Sequence, residues 1–302
     1  MENIILTLLS IPKVGRKSVD YFIRYMKEKP KNENDIVDIF VSLKNANKKI
    51  KVPTLEEVKL AREKANEIVR LSKEQNIETI DILDNKFPTR LKIIENYPQI
   101  LFYKGNYNAL INDYSLAIIG SREASSNSEN NAYEMANYFA KETYSIVSGL
   151  ALGCDTYAHK GCLDAKGMTV AVLSSGLDSI YPAQNRELAE RIIESDGCLL
   201  SEYPIGFASF KNNFIERDRI ESGLSLGTIV VEATVKSGTM HTANFTLQQE
   251  RALICFNIPK DGNKLLLEKN NVLSINGKDD IFKIKQELEK VKNNLENKTR
   301  DI

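Results

Sequence analysis

The spacing of apolar positions changes near residue 77. Before that point it is helical. Across residues 54–76, Leu60, Ala61, Ala65, Ile68, Val69 and Leu71 recur at the spacing of one amphipathic helix. Nearer the N-terminus, Leu9-Ser10-Ile11-Pro12-Lys13-Val14-Gly15-Arg16-Lys17-Ser18 reads as an apolar helix end, a tight turn at Pro12 and Gly15, and a new helix. Residues 1–76 are therefore expected to form a small, lysine-rich, all-α domain, with 54–76 as its bridge to a second domain. From 77 onward, short apolar runs rich in β-branched residues alternate with helical stretches. The expected strands are 115–120, 145–148, 168–173, 198–201, 228–232 and 253–258. Helices are expected across 132–140, around Ala158, across 185–193, around Arg217 and Arg219, and from about Gly238. Such alternation predicts an α/β domain over 77–285, a parallel sheet with helices on both faces. Right-handed crossovers bring the C-terminal ends of the strands to one edge, where ligands bind. A charged helix across 279–297 runs into a C-terminal tail assigned to 286–302.

Composition narrows the class. The 302 residues hold 42% hydrophobic and 27% charged residues, a folded and water-compatible balance. No apolar run reaches a membrane span, and the first residues lack the basic flank and cleavage site of a signal peptide, so a cytoplasmic location is expected. Cys154, Cys162, Cys198 and Cys255 form no CxxC pair, and the histidines are His159 and His241, so neither zinc nor a disulfide framework is expected. Formal net charge is zero, so any polyanion site must be a local cluster.

That cluster is read from the residues at the end of each strand. Gly120, Ser121 and Arg122 come after the first, Ser148, Gly149 and Gly153 after the second, and Lys236, Ser237, Gly238 and Thr239 after the strand ending near Glu232. Small residues at strand-to-helix turns let backbone amides approach an anion, and the fork of Arg122 suits phosphate. Arg217 and Arg219 are expected to enter the same region from the preceding helix. These twelve residues form the candidate phosphate-binding edge. They lie wholly within 115–243, so a fragment beginning near Ile77 is expected to keep most of the binding.

The same residues carry a resemblance. Gly120-Ser-Arg122, Ser148-Gly-Leu-Ala-x-Gly-x-Asp155, Gly176 through Tyr181-Pro182, Ser201-Glu-Tyr-Pro204, Phe214-x-x-Arg-x-Arg-Ile220, Val231-Glu-Ala233, Ser237-Gly238, Thr242-Ala243 and Pro259 occur in order and look like the DNA-processing protein A family (DprA, also called Smf). The likeness runs from about Phe87 to Asn263. It implies an extended Rossmann-like domain that binds single-stranded DNA in a basic pocket containing Arg122, dimerises, and loads the RecA recombinase in natural transformation. It implies no catalytic residues and no cofactor. The turn at Pro12–Gly15 resembles a helix-hairpin-helix (or SAM-like) module, and it is equally a plain structural turn. The family's Arg-Asn-Arg is here Arg217-Asp218-Arg219, which sets an acid between two bases. The winged-helix domain that some members carry at the C-terminus is not expected in this length.

Two other classes compete. A nucleoside-monophosphate hydrolase of the lysine-decarboxylase-like group would share Ser237-Gly238-Thr239, but its glutamate falls where this chain has Thr242. Asp155 and His159, four apart, could suggest acid–base work, and equally a helix-start acid and a packed imidazole. A dinucleotide oxidoreductase lacks its Gly-x-Gly-x-x-Gly after the first strand. The non-enzymatic binder of single-stranded DNA is the reading preferred.

Overall fold

A computed structural model of the chain describes residues 2–47 and 49–299. The first helices are α1 (Ile4–Ser10), α2 (Arg16–Tyr25), α3 (Glu33–Ala46) and α4 (Leu55–Glu74). Local sequence sets two of their starts. The Asn32 side chain accepts the amides of Asn34 and Asp35 while Asp35 accepts the Asn32 amide, and Thr54 and Glu57 form the same reciprocal cap on α4. The α4 stripe faces inward through Val58, Ala61 and Ala65. Leu60 lies two residues beyond Val58, about 200° around the helix, and it is 57% exposed.

The N-terminal helices share one core with the sheet. Ile5, Leu8, Phe22, Phe40 and Ala65 pack in a single apolar cluster with Ile77, Ile100, Phe102 and Leu199. Polar contacts run along the same seam: Gln99 donates to the Arg16 carbonyl at 2.9 Å, and the Tyr97 hydroxyl meets Asp20 at 2.5 Å.

Among the described residues, the sheet has nine strands: β1 (Glu78–Asp81), β2 (Ile100–Gly105), β3 (Ser115–Ile119), β4 (Ser145–Ser148), β5 (Thr169–Leu173), β6 (Cys198–Ser201), β7 (Gly227–Val230), β8 (Ala252–Phe256) and β9 (Val272–Ile275), in the order β1-β2-β6-β5-β4-β3-β7-β8-β9. β3 to β9 pair in parallel. β2 runs antiparallel to β6, so its C-terminal end leaves by the opposite edge, unlike the uniform arrangement expected. β1 and β9 lack the apolar run that marks the central strands; their mixed burial is that of sheet margins.

Helices cover both faces, because residues alternate across a strand. Leu116, Ile118 and Ile146 face α6 (Ser126–Lys141) and α7 (Cys154–Asp164) through Ala132, Phe139 and Ala158. Ala117, Val147 and Val172 face α5 (Thr89–Lys92) and α9 (Lys211–Leu224) through Leu91, Ile220 and Leu224. α8 (Arg186–Glu194), α10 (Thr239–Gln248) and α11 (Asp261–Leu267) complete the crossovers. α12 (Ile281–Thr299) crosses the 285/286 division expected from sequence without a break. Its Ile284, Leu288 and Leu295 are buried against the core, each by about 1.5–3 kcal/mol.

Chain order from β3 to β6 steps outward in one direction, and β7 then returns to the other side of β3. The crossovers diverge between β3 and β7, and a crevice opens there at the strand ends.

Candidate nucleic-acid interface

The crevice is a cleft of about 670 Å³. One wall is Gly120, Ser121 and Arg122, directly after β3. The facing wall is Glu232 and the turn Lys236-Ser237-Gly238-Thr239 after β7. The turn opens α10; carbonyls of the turn take the amides of Ser237, Met240 and His241, which leaves those of Gly238 and Thr239 for a ligand. A Cβ at Gly238 would meet nothing within 4 Å, so the protein's own packing does not demand glycine there; a ligand brought against the backbone would.

α9 forms the floor and separates its two arginines. Arg217 reaches the cleft, 6% exposed, donating to the Val172 carbonyl at 2.9 Å and to Glu221, with Nε 3.1 Å from Asp218. Arg219 turns the other way. It holds Glu202 with two hydrogen bonds of 2.9 and 2.7 Å and donates to the carbonyls of Asn96 and Glu216. Residues two apart on a helix point about 200° apart. The expectation that both arginines share the ligand edge is therefore corrected: Arg219 braces α9 from behind, against Glu202 and the Asn96 carbonyl.

The other expected residues divide between rim and support. Arg122 is exposed on the rim, its guanidinium 5.3 Å above the Phe214 ring. Gly149 lies behind Arg217 and lines a small adjoining cavity of about 50 Å³; a Cβ there would fall on the Arg217 guanidinium, so only glycine admits that side chain. Ser148 is buried and donates to the Ile118 carbonyl at 2.7 Å. Gly153 precedes α7 with φ +71°, tucked against the Ser121 carbonyl. Neither of these two lines the cleft; both shape the turns that do.

Lys211, Phe214, His241 and Lys260 line the cleft as well, and the strand-end pattern in the sequence did not single them out. Lys211 and Phe214 lie six and three positions before Arg217 on the same helix, a helical spacing that could have marked them.

Electrostatically the floor is crowded with acid. Arg217 faces Asp155, Asp218 and Glu221, one guanidinium against three carboxyl groups. Burial raises Asp218 to about 7 against the pull of Arg217, with Asp155 adding to the rise. Burial also raises Glu221 well above its usual range despite Arg217. The rim carries Arg122, Lys211 and Lys236 beside the exposed Glu123, and among the described residues no carboxylate lies within ion-pair distance of those three cations.

Glu232 closes β7. It accepts the Ser125 amide at 3.1 Å and hydroxyl at 2.8 Å and pairs with Lys260 at 2.7 Å. Burial pushes it up, but Lys260 and two serines, Ser128 and Ser125, outweigh that and hold it at about 2. A carboxylate so engaged organises its loop. Asp155 accepts the amides of Gly149 and Ala151. His159 is fully buried, bonded to Thr169 at 2.7 Å and lowered to about 3 by burial and by Arg217, so it stays neutral and out of the cleft. A further cavity of about 490 Å³ opens beside Ser115 at the opposite edge of the sheet, where Arg90 is engaged by Ser115 and the carbonyls of Asn112 and Leu224.

A mostly parallel sheet with glycine turns at its strand-order switch defines a Rossmann-like fold. The chain belongs to the DprA/Smf family: the family described as DNA recombination-mediator protein A matches residues 78–287. Protein Smf of Synechocystis sp. is 34% identical over 207 residues, 63% of this chain and 52% of that one, so the chain spans about half of that relative's length. The X-ray structure of DNA processing protein A from Streptococcus pneumoniae superposes with a TM-score of 0.76 at 28% identity, covering 93% of this chain and 97% of that one. DNA processing protein A from Helicobacter pylori, whose structure concerns its single-stranded DNA binding mode, superposes at 0.60 with 28% identity, over 72% of this chain and 95% of its own.

Proposed function

We propose that the cleft binds the sugar–phosphate backbone of single-stranded DNA without catalysing a reaction on it. The observation that carries this reading is Arg122, exposed and unpaired on the rim, facing the open turn of Lys236–Thr239 across the cleft. Two donor systems of that kind suit a phosphate between them, and the Helicobacter pylori relative's single-strand binding supports it. Two features speak against hydrolysis: Glu232 is held as a carboxylate by Lys260 and Ser125, and Thr242 stands where a hydrolase would carry glutamate. In this reading the chain works in the cytoplasm as a homodimer, protects incoming strands, and delivers them to RecA in transformation and recombination.

A salt titration of oligo-dT binding tests the site. Arg122, Lys211 and Lys236 are the cations free to release counterions, so log affinity should fall against log salt with a slope of about −2. A nucleotide-hydrolysis assay run alongside should show no turnover. Turnover abolished by Glu232→Ala, or a slope near zero, overturns the reading.

A further inference from the structure

We propose that the loop between β6 and α9 carries a base-stacking station, formed by Phe210 and Phe207, for nucleotides of a single strand that extend beyond the cleft. The inference rests on the single-strand reading of the cleft and adds the route of the strand outside it.

The rings are arranged as a connected series. Tyr203 and Phe207 stack face to face, 4.6 Å apart and 11° from parallel. Phe210 meets Phe207 edge-on at 6.1 Å and is 64% exposed. Phe210 is the residue immediately before α9, so it stands about one helical turn, about 6 Å along the axis, from Phe214. Phe214 is in the cleft wall, where it meets Tyr181 edge-on at 5.7 Å and lies under Arg122. Between the two phenylalanines, Lys211 is exposed and belongs to the cleft lining. Ring, cation and ring thus succeed one another outward from the phosphate site.

An exposed phenylalanine on a loose loop would mean little. This loop is anchored. The Phe207 carbonyl accepts the Gly176 amide at 2.9 Å, Asp178 accepts the Gly206 amide at 3.0 and 2.9 Å, Ser209 bonds Ser174 at 2.9 Å, and the Phe210 amide donates to Asn213 at 2.9 Å. The backbone is fixed while the ring is presented to water, an arrangement that disfavours the free state and suits a partner with a flat apolar face.

Charge selects nucleic acid. The carboxylates around the loop are each engaged: Asp178 by the Gly206 amide, Glu202 by Arg219, and Glu216 by Arg16 at 2.9 Å. The unpaired charge beside the rings is Lys211. Aromatic faces beside a cation accept any base, because every base offers a π-face while the cation meets its phosphate.

The chain contains no tryptophan, so Phe210→Trp creates a single fluorescent reporter at the station. Two labelled oligo-dT probes are used, one of about 4 and one of about 15 nucleotides, spanning the usual range of single-strand site sizes. Anisotropy reads binding, and tryptophan emission reads contact at residue 210. The long probe should quench the emission, while the short probe should bind and leave it unchanged. In wild-type background, Phe210→Ala and Phe210→Leu should each weaken the long probe about five- to tenfold and spare the short one, because leucine keeps apolar bulk but not the ring. Thermal melts confirm folding. Binding of the long probe without quenching overturns the station, as does quenching by the short probe or unchanged affinity in both substitutions; the last result would assign the exposed rings to a protein contact. Failure of both probes to bind wild type removes the cleft reading, and this inference with it.

Discussion

Arg217 and Arg219 stand two residues apart on α9, and their guanidinium groups face opposite sides of it. Arg217 is enclosed with Asp218 and Glu221 at the cleft floor, and Arg219 grips Glu202 behind it. Neither is free to bind a phosphate. Among the cations left free, Arg122 comes from another element, the end of β3.

Arg122 and Arg219 should therefore separate function from stability. Arg122→Ala is expected to weaken oligo-dT binding by about 1.5–3 kcal/mol, the range for charged hydrogen bonds, with little change in melting temperature because the side chain is exposed. Arg219→Ala leaves the Glu202 carboxylate in a site 9% exposed and should destabilise the fold by about 3–5 kcal/mol. Anisotropy and thermal melts on both variants check this; a stable Arg219→Ala protein with impaired binding would contradict the assignment.

Asp218 makes binding depend on pH. Asp155, Arg217, Glu221 and Arg122 surround it, and burial raises it to about 7. From about pH 6 to about pH 8 the cleft floor should gain negative charge and affinity for oligo-dT should fall. Asp218→Asn should flatten that profile and bind more tightly at the alkaline end. Stability obeys the same linkage. Between the ordinary carboxylate value near about 4 and the folded value, the native state alone holds the proton, so folding stability should fall as pH rises through that window. Parallel pH profiles for wild type and Asp218→Asn would contradict this assignment.

Glu232 has the opposite sign. Held at about 2 by Lys260, Ser128 and Ser125, it should contribute stability above the unfolded value, lost as pH falls toward 2. Glu232→Gln is expected to lower stability by on the order of 2–3 kcal/mol at neutral pH, and the difference should shrink in acid. Denaturant titrations of both proteins at neutral and acidic pH measure it.

The fragment beginning near Ile77 should retain the cleft residues and yet fold poorly. Ile100, Phe102 and Leu199 pack in one cluster with Ile5, Phe22 and Phe40, and removing the N-terminal helices exposes that surface. A lowered melting temperature with single-strand affinity kept in the folded fraction is the expected result. A fragment as stable as the whole chain would show that the seam contributes nothing.

What the sequence determined by itself was whatever rests on local spacing. Continuous runs such as Leu116–Ile119 and Val170–Leu173 marked strands buried on both faces, and the apolar spacing across 54–76 marked a helix, because these signals are complete within a few residues. β1, β9 and α11 were not legible, since four-residue margins and a helix of barely two turns carry no period of their own. Of the site, the small residues after β3 and β7 could be read because turn chemistry is local. Which side chains meet in the cleft could not. Arg217 and Arg219 looked alike in sequence, and only the packing of α9 on the sheet decided that one lines the cleft and the other turns away to Glu202 and the Asn96 carbonyl. The acidic floor around Arg217 had the same origin. Asp155 reaches it from the start of α7, and Asp218 and Glu221 come from α9, so their shared field exists only once the sheet has brought those elements together.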